Sequence, residues 1–156
     1  MKKGEIKTFK IEDLAHGGDG VARAENGMAV FISLTLPGDL VKAEITKIKK
    51  DYAFAQLVEV IEAGEGRTKA PCPVYNECGG CQLQHINYQK ELEFKQNNIK
   101  QLINRIAEID DFKLNDVLAA DDDFRYRNKA QFPLKLDEDE QITAGFYKRG
   151  SHDIVP

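Results

Sequence analysis

Excess charge of one sign, long apolar runs and cysteine are all scarce in this chain of 156 residues, and each shortage removes a class of function. The net charge is −4, so the chain as a whole carries no field that would draw a polyanion. Residues 1–61 hold nine basic and nine acidic side chains, so any nucleic-acid binding there must come from local patches. No apolar run approaches the roughly 20 residues of a membrane helix, and no membrane association is expected. The cysteines number three, an odd count that fits a disulfide framework badly. The opening Met1-Lys2-Lys3-Gly4-Glu5 leads into a charged segment rather than an apolar leader, which points to a reducing cytoplasm. Internal repeats and low-complexity tracts are also missing. What remains, 42% hydrophobic and 31% charged, is the composition of a globular protein of one domain or two small ones.

Residues 1–61 read as five short strands. Ile6, Phe9 and Ile11 alternate loosely, and Val21-Ala22-Arg23 follows the glycine-rich turn His16-Gly17-Gly18-Asp19-Gly20. Asn26-Gly27 is a hairpin signal ahead of Met28-Ala29-Val30-Phe31-Ile32. Leu36-Pro37-Gly38-Asp39 turns the chain again, and two period-two runs follow over residues 40–48 and 52–61. Short strands, tight turns and no helix predict a small closed barrel of the OB type, which leaves no exposed sheet edge. Residues 62–71 read as a linker.

All three cysteines fall within ten residues: Cys72, Cys78 and Cys81. Thiolates are soft metal ligands, and a bent backbone must bring them together. Gly79-Gly80 is expected to provide the bend through positive φ. Two metal readings compete. Zinc would take Cys72, Cys78, Cys81 and His85 as a Cys3His site, while an iron–sulfur cluster would require a fourth cysteine.

From residue 88 to 107 the apolar period becomes helical, with Tyr88, Leu92, Ile99, Leu102, Ile103 and Ile106 near one face and Asn87 as N-cap. This face is expected to pack on the next domain. Residues 126–136 and 141–148 then read as a β-hairpin around the acidic turn Asp137-Glu138-Asp139-Glu140. On a strand, Arg125, Arg127, Lys129 and Gln131 would share one face and form an RNA-binding patch, which Lys148 and Arg149 would extend. A second candidate patch is Lys47, Lys49, Lys50 and Tyr52, where cations hold phosphates and a ring stacks on a base. Phe54 in that run is expected in the core.

Cys72-x5-Cys78-Gly79-Gly80-Cys81-x2-Gln84-His85 resembles the iron–sulfur motif of the S-adenosylmethionine-dependent RNA uracil-5 methyltransferases. The resemblance continues on both sides. The run from Ile11 through His16-Gly17-Gly18-Asp19-Gly20 to Arg23, then Val30-Phe31-Ile32 and Leu36-Pro37-Gly38-Asp39, looks like the TRAM domain that opens many of these enzymes. The runs from Tyr126 to Phe132 and from Gly145 to Pro156 look like the start of their central domain. The resemblance implies a mainly β chain with some α structure. It comprises a TRAM barrel over 1–61, a linker and cysteine loop over 62–87, and the beginning of an α+β central RNA-binding domain over 88–156. It further implies a 4Fe-4S cluster on Cys72, Cys78 and Cys81, the fourth ligand lying beyond Pro156, with His85 structural rather than ligating. In the relatives a cysteine attacks uracil C6, the methyl group passes from S-adenosylmethionine to C5, and a carboxylate removes the proton. Those groups belong to a C-terminal domain that this chain does not contain, so the chain is expected to be an inactive N-terminal fragment and a monomer. Its partner would be RNA, with rRNA favoured by the TRAM domain. The competing expectation is a free-standing zinc-binding RNA-binding module without catalysis.

Overall fold

The computed structural model describes residues 1–136 and 140–156. Five strands, β1 (Ile6–Leu14), β2 (Gly20–Arg23), β3 (Ala29–Ile32), β4 (Leu40–Ile48) and β5 (Tyr52–Glu62), close into a barrel in the order β1-β2-β3-β5-β4. Neighbours run antiparallel except β3 and β5, which are parallel. The expected closed barrel is therefore present. Alternation explains the core: Phe9 and Ile11, Val30 and Ile32, Val41, Ala43 and Ile45, and Ala53 and Ala55 all turn inward. Phe54 does not. The alternation that buries Ala53 and Ala55 sends Phe54 to the outer face, which corrects the core assignment.

A second apolar cluster joins the barrel to the cysteine loop and the helix after it. Leu14 and Leu36 from the barrel meet Ile86, with Leu83 and Phe94 packed against them. Phe94 belongs to helix α1 (Tyr88–Ile106), where the Asn87 side chain accepts from the Lys90 N–H as the N-cap. No residue of this helix is buried; Ile99, Leu102 and Ile106 stay exposed. The expectation that its apolar face packs on a following domain fails among the described residues, because only Phe94 reaches an apolar cluster.

Two small sheets end the chain: β6 (Leu134–Leu136) with β7 (Ile142–Ala144), and β8 (Phe146–Tyr147) with β9 (Ile154–Val155). The hairpin thus exists in a short form, and Asp137, Glu138 and Asp139 of its expected acidic turn lie outside the described residues. Residues 124–133 form no strand, and Arg125 adopts a positive φ of 57°. The shared face expected for Arg125, Arg127, Lys129 and Gln131 is therefore absent. An extended segment needs a ladder partner for its N–H and C=O groups, and none of the described strands pairs with this stretch.

Candidate nucleic-acid interface and cysteine loop

The cysteine loop is shaped by its own backbone and by a clasp from far along the chain. Within the loop, the Cys78 N–H donates to Val74 O at 2.8 Å and the Tyr75 N–H to Cys72 O at 3.2 Å. The Gly80 N–H donates to Cys78 Sγ at 3.3 Å. Gly79 and Gly80 do not take positive φ, contrary to expectation. They are required for close approach instead: a Cβ at Gly79 would lie 2.9 Å from Tyr147 O, and one at Gly80 3.1 Å from the Phe146 ring. The clasp itself is Arg149. Its Nη2 donates to Cys81 O and, at 3.3 Å, to Tyr75 O. Its guanidinium carbon sits 5.1 Å from the centre of the Tyr75 ring, and its backbone N–H donates to Glu77 O at 2.8 Å. Arg149 is thus committed to the loop and does not extend an RNA patch.

His85 ties the loop to the barrel. It is buried, with Nε2 at 3.1 Å from Thr35 O and Nδ1 at 2.7 Å from the Tyr75 hydroxyl. Because Thr35 O can only accept, the hydrogen belongs on Nε2, and Nδ1 accepts from Tyr75. The same hydroxyl lies 2.7 Å from Gln82 O. Burial pushes the His85 pKa down to about 4 against the raising effect of the Thr35 carbonyl; Arg67 and Arg149 push further down, and Asp39 pulls up. Both ring nitrogens are occupied, which removes the fourth donor of a Cys3His zinc site and leaves His85 in a structural role.

The three thiols are free, Cys72 and Cys78 half-buried and Cys81 exposed. They suit an iron–sulfur group in kind. Their side chains do not converge: among the described residues no three Cys, His, Asp or Glu side chains come together as a metal-holding group.

The stretch read as a linker is pinned to the barrel by a buried ion pair. Asp39 is fully buried, and its Oδ1 accepts from Arg67 Nε at 2.9 Å and from the Gly64 N–H at 2.8 Å. Its Oδ2 meets Arg67 Nη2 and the Leu36 N–H. Burial raises the Asp39 pKa, and the Arg67 hydrogen bonds with those of Gly64 and Leu36 outweigh it, leaving the carboxyl below its ordinary value. Sequence reasoning missed this pair because the partners stand 28 residues apart.

The lysine hairpin lies where β4 turns into β5. A bulge at Thr46 shifts the register from Ile45↔Ala55 to Lys47↔Phe54. Without it Lys47 would follow Val41, Ala43 and Ile45 to the inside; with it, Lys47 stands outside beside Phe54. Lys47, Lys49 and Lys50 are exposed and form no ion pair among the described residues. Tyr52 stands on the same outer face, with its ring centroid 5.8 Å from that of Phe31 and 5.5 Å from that of Phe54. Phe31 escaped the sequence reading, although its place between Val30 and Ile32 assigns it to the outer face. Arg125, Arg127, Lys129 and Gln131 are exposed on irregular backbone.

Residues 1–58 match the TRAM domain. Along 99% of its length the chain is similar to proteins named as uncharacterized RNA methyltransferases: 41% identical to one of Halalkalibacterium halodurans and 39% identical to one of Staphylococcus aureus. The chain spans about a third of the length of these curated relatives, 33% and 34%. Among solved structures, a tRNA (uracil-54, C5)-methyltransferase of Pyrococcus abyssi, in complex with S-adenosyl-L-homocysteine, is 26% identical with a TM-score of 0.45. The match covers 62% of this chain and 21% of that one.

Proposed function

We propose that this chain is the RNA-holding part of an S-adenosylmethionine-dependent RNA uracil-5 methyltransferase acting on rRNA in the cytoplasm. The observation that carries the reading is the likeness, over 99% of the chain, to proteins named as RNA methyltransferases. The order of barrel, cysteine loop and helix supports it, as does the motif Cys72-x5-Cys78-Gly79-Gly80-Cys81. Within this chain the residues bind and orient. Lys47, Lys49 and Lys50 offer cations to phosphates, and Tyr52 offers a ring to an unpaired base. Arg125, Arg127, Lys129 and Gln131 would add contacts beyond the barrel, with guanidinium groups on phosphate. Cys72, Cys78 and Cys81 would contribute three ligands to a 4Fe-4S cluster. Such a group would brace the loop, since methyl transfer to carbon moves no net electron. Arg149, Tyr75 and His85 fix the loop against the barrel.

Deleting the gene and mapping 5-methyluridine in total RNA by mass spectrometry tests the reading. Loss of the modification at a single rRNA position, restored by the gene, is expected. Unchanged 5-methyluridine in both rRNA and tRNA would refute it. Anaerobic purification with iron, sulfide and zinc analysis tests the cluster separately; stoichiometric zinc without sulfide would exclude it.

A further inference from the structure

We propose that the outer face of β3 and β5 is a stacking platform for unpaired bases of single-stranded RNA, built from Phe31, Tyr52 and Phe54 and flanked by Arg23, Lys47 and Lys49. The proposal rests on the RNA-binding reading above and gives it a site.

The barrel inverts the usual use of side chains on these strands. β5 begins Tyr52-Ala53-Phe54-Ala55, and β3 reads Ala29-Val30-Phe31-Ile32. Ala53 and Ala55 are the buried residues, 0% and 6% exposed, while the large rings face outward. A slip of one residue would reverse both strands and bury three aromatic side chains, each a far larger apolar payload than alanine. The observed register gives that up, and three clustered rings on a surface call for an explanation. Their mutual packing accounts for part of it. Phe31 and Phe54 lie 5.7 Å apart at 37°, and Tyr52 meets both edge-on at 84° and 86°. Such pairs stabilise one another beyond the area they bury.

The register explains the rest. Strand pairing sets two rows across the outer face. One runs Val21, Phe31, Phe54, Lys47. The next runs Arg23, Ala29, Tyr52, and reaches Lys49, whose N–H donates to Tyr52 O. Each row has apolar or aromatic residues in the middle and a cation at an end, and the second has a cation at both ends. The Thr46 bulge is what brings Lys47 into its row. Arg23 and the two lysines form no ion pair among the described residues, although Asp51 and Glu44 lie nearby in sequence. Rings between cations suit a strand whose bases stack while its phosphates run past the edges. A duplex hides its base faces and would leave the rings without partners.

The experiment is an anisotropy titration of the 156-residue chain with a labelled single-stranded oligoribonucleotide of about ten nucleotides. The matching duplex and the DNA strand of the same sequence serve as controls. Phe54→Ala and Tyr52→Ala should each weaken binding about 5- to 150-fold, the range for one stacked base. Tyr52→Phe should leave affinity within about twofold, since the ring is kept. Lys47→Ala and Lys49→Ala should each flatten the salt dependence by about 0.7 in log–log slope. Circular dichroism checks that each variant is folded; Phe54→Leu, which keeps bulk and removes the ring face, carries the test if an alanine variant unfolds. Wild-type affinity retained by both Phe54→Ala and Tyr52→Ala would overturn the platform and leave RNA binding to another face. Duplex binding as tight as single-strand binding would overturn it too. Equal affinity for DNA would overturn its restriction to RNA. A wild-type chain that binds no RNA would defeat both the platform and the reading beneath it.

Discussion

Strand β4 buries Val41, Ala43 and Ile45 completely, whereas Leu134, Leu136 and Ile142, on strands that alternate in the same way, are 63–70% exposed. The difference is closure. In the barrel each strand has two neighbours and its inward face meets four others across a shared interior. Among the described residues β6 and β7 pair only with each other, and a two-stranded pair has no second layer of its own to cover its faces. Beyond α1 the one buried residue among those described is Gly145. Alternation therefore assigns side chains to faces, and burial depends on whether a second layer is present. The barrel's exceptions, the outward rings and the bulged lysine, then stand out against a well-determined background.

The contrast can be broken most sharply at the Asp39–Arg67 pair. Arg67→Ala leaves a carboxylate buried without its cation and should cost about 3–5 kcal/mol in chemical unfolding of the barrel. A loss below about 1 kcal/mol would mean that the pair is not as enclosed as its geometry indicates. Next comes a matched pair of truncations. Ile32→Ala, in the barrel core, should cost about 2–5 kcal/mol. Leu118→Ala, at a side chain 95% exposed, should stay within about 0.5 kcal/mol. Similar losses at both sites would end the distinction between the two regions.

Acid tests the joint between barrel and loop. The His85 pKa falls from 6.5 unfolded to about 4 folded, so between those values the unfolded chain binds a proton that the native one refuses. Stability from this group is complete above pH 6.5 and declines toward pH 4, by about 3 kcal/mol in all. Asp39, held below 3.8, acts only at lower pH and does not overlap this window. Unfolding midpoints measured across the range should show the decline in the wild type and lose it in His85→Gln; a flat wild-type profile would contradict the burial of this ring. A comparable or smaller loss follows Tyr75→Phe, which removes the hydroxyl that donates to His85 Nδ1 and should cost about 1–3 kcal/mol. It should also speed alkylation of Cys78 relative to Cys81, as read by peptide mass spectrometry.

Much of this was legible in the sequence. The turn at Asn26-Gly27, the alternation through residues 40–48 and the Asn87 cap each follow from local chemistry, and each is found. What was not legible depends on partners. Tyr52 through Ala55 is apolar at every position, so alternation could not say which pair faced inward, and Phe54 was misplaced. The Thr46 bulge depends on β5 and gave no local sign. Gly79 and Gly80 owe their identity to Tyr147 and Phe146, far along the chain, and the charge pattern of Arg125, Arg127, Lys129 and Gln131 implied a strand that has no ladder partner among the described residues.

Hydrogen exchange resolved along the chain, with and without single-stranded RNA, tests the central claim most directly. The account predicts slow exchange for the amides of β3, β4 and β5 and fast exchange over residues 107–133. Added RNA should increase protection around Phe31 and from Lys47 to Phe54. Uniform protection along the chain, or an RNA effect confined to residues beyond α1, would contradict it.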